Sequence, residues 1–586
     1  MPHTLRLRSL AASVSALSCV ALLASGCSGA PEPQASSSAS PSASSSGTTT
    51  GSTPSTGPAA SPSASPSASA RASASPSASD RPEPLEDKLA GPSEEQYETA
   101  KKYVQGMSTA DKAGAVLVQK YAGTDPNRAA ALARDLKLGG TIIMGDNIPM
   151  GADGAADLDE LRSALSTLTA GVKSRPWGSI LTIDQEGGAV ARLRAPLTEW
   201  PTPMTFGAAG DTTRTEKAAA AMNSELGGLG FNLNNATLAD MTIGADDPTI
   251  GARSYGSEQG LVSRMAVASI EGAAKAGVVT SVKHFPGHGS VTTDSHVGLP
   301  VQKKSLAELK RTDFVPFQQT IDAGASVMMM GHIEVPALQA GVPSSLSAPA
   351  YRQLRSMGFT GVIMTDALNM GAITEQYGAS EAAVKALSAG ADLLLMPEDV
   401  AEAHSGIVSA VAAKKIPVSR LDEAATRVVA LGLWQKSLVA QRMRVAEPGS
   451  GADAARSASA AGATLLTGQC TGRLLPSKTV TLVSGTAEEK QRFMDAAKAA
   501  GLTVGPGGRR VALAADGSAP VDADIAVATD GPWVLASSPA KVKIALYSST
   551  PPAFAALSAI LLGTVKPGGH LPTKVGTYPV GTGCGE

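Results

Sequence analysis

From Ser93 to Lys436, short runs of β-branched and other apolar residues alternate with longer amphipathic stretches. The runs are Ala115–Val118, Thr141–Met144, Ile180–Ile183, Phe231–Leu233 (extending towards Leu238), Val278–Val282, Ser326–Met330, Val362–Thr365 and Asp392–Met396. Continuous apolar runs of this length read as strands covered on both faces, and the amphipathic stretches between them as helices. Eight strand–helix repeats predict an α/β fold, a (β/α)8 TIM-type barrel over 93–436, with a doubly wound open sheet as the alternative. Beyond a polar linker at 437–451 come four more strand-like runs, Thr479–Val483, Val511–Ala514, Ile525–Ala528 and Val542–Tyr547. With helical Ala487–Ala500 and Pro551–Leu562 they predict a smaller α/β sandwich over 452–586.

Polar residues stand at the ends of these strands. Asp184 and Glu186 follow the third, Asp240 the fourth, Lys283 and His284 the fifth, His332 the sixth and Asp366 the seventh. In a barrel those ends converge on one face, where the active site belongs. The densest segment runs from Lys283 to His296 and holds three of the seven histidines. Its glycines and proline predict a loop, and loops on rigid scaffolds commonly carry chemistry.

Cleaving an acetal requires one group to attack or stabilise the anomeric carbon and another to protonate the departing oxygen. Asp366, delivered by a hydrophobic strand, suits the first task. Asp294 and His296 suit the second: in an extended i, i+2 pair both side chains point the same way, so the carboxylate can fix the tautomer of the imidazole. A metal site built from His284, His288 and His296 is the rival chemistry. Against it stand the absence of a His-x-x-x-His helix pattern and the cation-repelling Lys283.

Composition narrows the partners. A net charge of −2 gives no nucleic-acid footprint. Residues 1–27 have basic Arg6 and Arg8, then an apolar stretch too short to span a bilayer, and resemble a bacterial lipoprotein signal with Cys27 as the lipidated residue. Residues 28–92 read as a disordered linker: Ala30 to Asp80 is almost wholly Ser, Ala, Pro, Thr and Gly, lacks the apolar content to fold, and predicts a tether with a reach of roughly 40 Å. The expectation is a chain lipid-anchored at the outer face of the cytoplasmic membrane near the cell wall, or secreted. Cys470 and Cys584 remain for pairing, and the sequence leaves open whether they pair. It is equally silent on oligomeric state.

Lys283-His284-Phe285-Pro286-Gly287-His288-Gly289 with Asp294-Ser295-His296 resembles the signature of glycoside hydrolase family 3, in its β-N-acetylglucosaminidase branch. Ile183–Gly188, Ile250–Gly256 and Val362–Met370 extend the resemblance along the barrel. It implies a retaining exo-hydrolase that removes terminal β-GlcNAc from peptidoglycan fragments or chitooligosaccharides, with an amino-sugar glycoside as substrate and no cofactor or metal. Asp366 would be the nucleophile and His296 the acid/base, oriented by Asp294. Asp184, Arg192, Arg253, Lys283 and His284 match positions that hold the sugar. Ala189 and Asn235 depart from the pattern and bear on the edges of the sugar site. The C-terminal region matches more weakly and is expected to be structural. Alternative readings are a phosphorylase with the same site, a β-glucosidase-type glycosidase, and a non-enzymatic wall-binding lipoprotein.

Overall fold

The computed structural model describes residues 91–441 and 446–585. The expected signal with Cys27, and the tether as far as residue 90, lie outside the described residues. The first helix, Glu94–Gln105, starts from a capping box: Ser93 Oγ accepts from the Gln96 amide at 3.2 Å, and Gln96 Oε1 accepts from the Ser93 amide at 2.9 Å.

Eight parallel strands follow: β1 (Leu117–Gln119), β2 (Gly140–Ile143), β3 (Ile180–Ile183), β4 (Leu233–Leu238), β5 (Val279–Phe285), β6 (Val327–Met330), β7 (Val362–Thr365) and β8 (Leu394–Leu395). They pair in the order β7-β6-β5-β4-β3-β2-β1-β8, and a bridge between Met364 and Leu393 returns the last strand to the first, forming the barrel. Every residue of these strands is buried, which is why each reads as an apolar run rather than an alternation. Surrounding helices pack closely. At Gly272 of helix Gln259–Lys275 an added Cβ would lie 2.1 Å from the Glu216 carbonyl of the neighbouring helix.

Three differences from the sequence reading have clear causes. Strand β5 continues through Lys283 and His284 to Phe285, pairing Lys283 with Leu238 and Phe285 with Met330, so the loop starts later. Strand ends at a barrel mouth carry polar side chains without losing the ladder, and hydropathy stops too early there. Strand β8 is shorter than Asp392–Met396 because Leu393 makes only an isolated bridge to Met364 and Met396 turns to a φ of 49°, out of extended backbone. Helix Val418–Gln441 runs past residue 436, so the chain leaves the barrel later than composition suggests.

The C-terminal sheet has the order β9-β14-β13-β12-β10-β11, where β9 is Thr464–Thr467, β10 Thr479–Leu482, β11 Thr503–Val504, β12 Arg509–Ala514, β13 Ile525–Ala528 and β14 Val542–Ala545. All neighbours are parallel except the edge strand β9, which runs antiparallel to β14. The sequence reading lacked β9, which follows a helix ending at Gly462 with a single residue between, and β11, which is two residues long. Thr202 Oγ1 donates to the Tyr547 carbonyl at 2.8 Å, joining the barrel to this sheet. The segment after Pro567 touches both: Gly569 N donates to Ala463 O, His570 N to Ala208 O, and Ser257 N to Pro572 O. A Cys470–Cys584 disulfide pins its far end. No helix among the described residues is long and apolar enough to cross a membrane.

Candidate active site

A cavity of about 360 Å³ opens where the C-terminal ends of the barrel strands meet. Asp184, Arg192, Arg253, Lys283, His284, His296 and Asp366 all line it, although they are spread over some 180 residues of sequence. Asp294 stands behind His296.

Asp366 directly follows β7. Its amide extends the ladder to Met330 O at 2.9 Å, which fixes its main chain, and its Oδ1 accepts from the Ala367 amide at 2.8 Å, which orients the carboxylate. It is 9% exposed. Burial alone would raise its pKa, but His284, His332, the Ala367 amide and Lys283 outweigh that effect and bring it down to about 2. The group is therefore an anion throughout the neutral range.

Glu186, with a fully buried side chain, organises the floor. Its oxygens accept from Arg253 Nε at 2.9 Å and Nη2 at 2.8 Å, and from Lys283 Nζ at 2.6 Å. Burial pushes its pKa up, yet the two cations hold it down at about 2. Lys283 Nζ also donates to the Asn235 carbonyl at 2.5 Å. The fork of Arg253 and the ammonium of Lys283 thus keep fixed positions on the cavity wall. Across it, Arg192 Nη2 pairs with Asp184 at 3.0 Å. These charge-assisted groups are the kind that orient sugar hydroxyls. Asn235 lies beneath Lys283, fully buried, rather than at an edge of the cavity.

Asp240, at the end of β4, is a second organiser. One oxygen accepts from His284 N at 2.9 Å and Nδ1 at 2.7 Å, and the other from His288 N at 2.7 Å. His284 Nδ1 is thereby engaged, leaving Nε2 to face the cavity. On the far side, His332 Nε2 donates to Ala367 O at 2.9 Å and braces the turn after Asp366.

Asp294 and His296 are joined as expected, by a different geometry. Asp294 Oδ1 accepts from both His296 N at 2.9 Å and His296 Nδ1 at 2.7 Å. The segment is a turn, with the Val297 amide donating to Asp294 O at 3.1 Å, so an Asx-type turn and not extended pleating brings the pair together. The His296 side chain is 61% exposed at the rim, whereas Asp366 is enclosed. Burial works against the Asp294 carboxylate, but the backbone and ring N–H groups of His296 hold its pKa below the usual range.

His284, His288 and His296 do not converge as ligands. The first is committed to Asp240, the second to Ser295, and the third to Asp294. Among the described residues no group of three or more His, Cys, Asp or Glu side chains is placed to hold a metal ion. Of the residues that shape the site, Glu186 and Asp240 were visible as strand-end acids. His288 was visible as a motif member and as a candidate metal ligand, and Ser295 only as a member of the motif. Their partners became evident in three dimensions.

The family model described as "Glycosyl hydrolase family 3 N terminal domain" matches residues 109–431. Beta-hexosaminidase A of Pseudoalteromonas piscicida is 32% identical over 293 residues, which is 47% of this chain and 48% of that protein. The chain therefore matches about half the length of that relative. Beta-hexosaminidase LpqI of Mycobacterium tuberculosis is 30% identical over 335 residues, 56% of this chain and 83% of that protein. The solved structure of a glycoside hydrolase family 3 beta-N-acetylglucosaminidase from Paenibacillus sp. str. FPU-7 superposes with a TM-score of 0.72 at 26% identity, covering 81% of this chain and 100% of that one.

Proposed function

The chain belongs to glycosyl hydrolase family 3, and from that premise we propose that it is an exo-acting, retaining β-N-acetylglucosaminidase. The observation that carries this reading is the pairing, in one cavity, of an enclosed anionic Asp366 with a rim-mounted His296 whose Nδ1 is already held by Asp294. A carboxylate and a proton donor on one cavity are what a two-step displacement at an anomeric carbon needs.

In the first step an oxygen of Asp366 bonds to the anomeric carbon as the bond to the departing oxygen breaks, and His296 Nε2 gives that oxygen its proton. Asp294 stabilises the imidazolium beforehand and keeps Nε2 directed outward. In the second step the neutral imidazole takes a proton from water, whose oxygen bonds to the same carbon and releases Asp366. Arg253, Lys283, Asp184, Arg192 and His284 hold the ring hydroxyls. Because each is already paired within the protein, little of the binding energy is spent on ordering them.

The test is steady-state hydrolysis of aryl β-GlcNAc glycosides with Asp366→Asn and His296→Ala, with the anomer of the first-formed product read by NMR. We expect β product, loss of activity on all aglycones for Asp366→Asn, and loss mainly on poorly leaving aglycones for His296→Ala. An α product, or two variants as active as the parent, would sink the reading. A parallel reaction in phosphate separates hydrolysis from phosphorolysis, since a phosphorylase would give the sugar 1-phosphate.

The N-terminal residues support a location outside the cytoplasm with GlcNAc-ended wall or chitin fragments as substrates. Labelling with a radioactive fatty acid, lost in Cys27→Ser, tests the anchor.

A further inference from the structure

The loop that carries His296 has few attachments. Its start is secured: Ser290 Oγ hydrogen-bonds Asp313, which Lys304 Nζ approaches at 2.6 Å. From Thr292 to Gly298, among the described residues, the hydrogen bonds that leave the loop both belong to Ser295. Its carbonyl accepts from the Ala372 amide at a long 3.3 Å, and its Oγ meets His288 Nε2 at 2.8 Å. The bonds of Asp294 and His296 are to each other and within the turn, and Val297 is 73% exposed. The strong tie between this turn and the barrel is therefore one imidazole–hydroxyl contact.

His288 is built to be an immovable post. It is 1% exposed, its amide is fixed on Asp240 at 2.7 Å, and the adjacent Gly289 sits so tightly against the Met241 carbonyl that a Cβ would lie 1.9 Å from it. Its Nδ1 is buried with no hydrogen-bond partner. Whichever tautomer forms, one ring polar atom is left unsatisfied if Nε2 serves Ser295, a cost that an apolar residue there would avoid. Burial and neighbouring His284 push its pKa down to about 4, so the ring is neutral and adds no charge beside the acid/base pair.

We infer that His288 is a positioning residue: acting through the Ser295 hydroxyl, it holds the Asp294–His296 turn over the cavity so that the proton donor meets the glycosidic oxygen. This rests on the reading of His296 as the acid. The same Asp240 carboxylate that anchors His288 also orients His284. Sugar contact and donor position thus share one foundation.

The experiment uses the full chain and reads kcat/KM, which reports the first step, on a dinitrophenyl and on a phenyl β-GlcNAc. Ser295→Ala and His288→Ala are each measured alone, and Ser295→Ala also in the His296→Ala background. A misplaced donor costs on the order of 10- to 100-fold where protonation matters. We expect Ser295→Ala to lose that much on the phenyl glycoside and less than about threefold on the dinitrophenyl glycoside. With His296 already removed, Ser295→Ala should cause no further loss, because both changes act through one group. Equal losses on both substrates, no loss on either, or full additivity with His296→Ala would overturn the inference while leaving the proposed function intact. His296→Ala showing no dependence on the leaving group would overturn that function and this inference together. Should His288→Ala fail to fold, the Ser295 measurements decide.

Discussion

Replacing Glu186 with Gln removes the negative charge between Arg253 and Lys283 while keeping the side chain's shape. The carboxylate accepts three charge-assisted hydrogen bonds at 2.6–2.9 Å in a fully buried setting. Its pKa of about 2 in the folded protein lies below the 4.5 of a free Glu. The sign follows: the folded protein holds this proton more weakly than the unfolded chain, so the contribution is fully present above pH 4.5 and fades as pH falls towards 2. The difference corresponds to roughly 3 kcal/mol at pH 7, shrinking to roughly 1 kcal/mol at pH 3. That agrees in order of magnitude with the 3–5 kcal/mol typical of leaving a buried charge without its partner. For a barrel of roughly 340 residues, 3 kcal/mol lowers the thermal midpoint by about 4 °C. Calorimetry of parent and Glu186→Gln at pH 7 and pH 4, with aryl-glycoside kinetics beside it, tests both consequences. We expect a lower midpoint at pH 7, a narrower gap at pH 4, and a KM raised about tenfold or more as Arg253 and Lys283 lose their common anchor. Identical midpoints at pH 7 with unchanged KM would refute the claim that this carboxylate organises the floor.

Other outcomes follow from the same geometry. Asp366→Asn should cost at least about 10³-fold in kcat/KM on good and poor aglycones alike, because no proton delivery replaces the missing nucleophile; pre-steady-state kinetics would show no burst. Since Asp366 keeps its charge down to about pH 2, its protonation should cause no loss of kcat/KM on a dinitrophenyl glycoside between pH 4 and 7, in the parent or in His296→Ala. Asp240→Asn removes the acceptor shared by His284 and His288, and should raise KM and steepen leaving-group dependence together. Cys470→Ser with Cys584→Ser opens a loop of sequence separation 114, worth up to about 4–5 kcal/mol by chain entropy, and should lower the C-terminal domain's unfolding midpoint while leaving kcat/KM within about twofold.

Much of the architecture was legible because it rests on local pattern. Ile180–Ile183, Val362–Thr365, Ile525–Ala528 and Pro551–Leu562 stand in the structure with the limits read from their apolar runs. Asp366 was legible for the same reason, as the first acid after a hydrophobic strand. What hydropathy could not give was partnership. Glu186 meets Arg253 from 67 residues away, and Asp240 meets His284 from 44 away, distances across which only the closed barrel brings charges together. His288 and Ser295 are seven apart in a loop with no period to read. Asp294 and His296 were matched correctly for the wrong backbone, since both an extended pair and an Asx-type turn put a carboxylate beside an imidazole two residues on.

The crossing of the C-terminal segment between Ala208, Ser257 and Ala463, locked at Cys584, has a bearing on how turnover proceeds. A strap hydrogen-bonded to both bodies, and tied covalently to one of them, makes any movement of one against the other break these bonds first. The histidine-bearing turn, with two hydrogen bonds leaving it, is by contrast the more lightly fastened part of the cavity's surroundings.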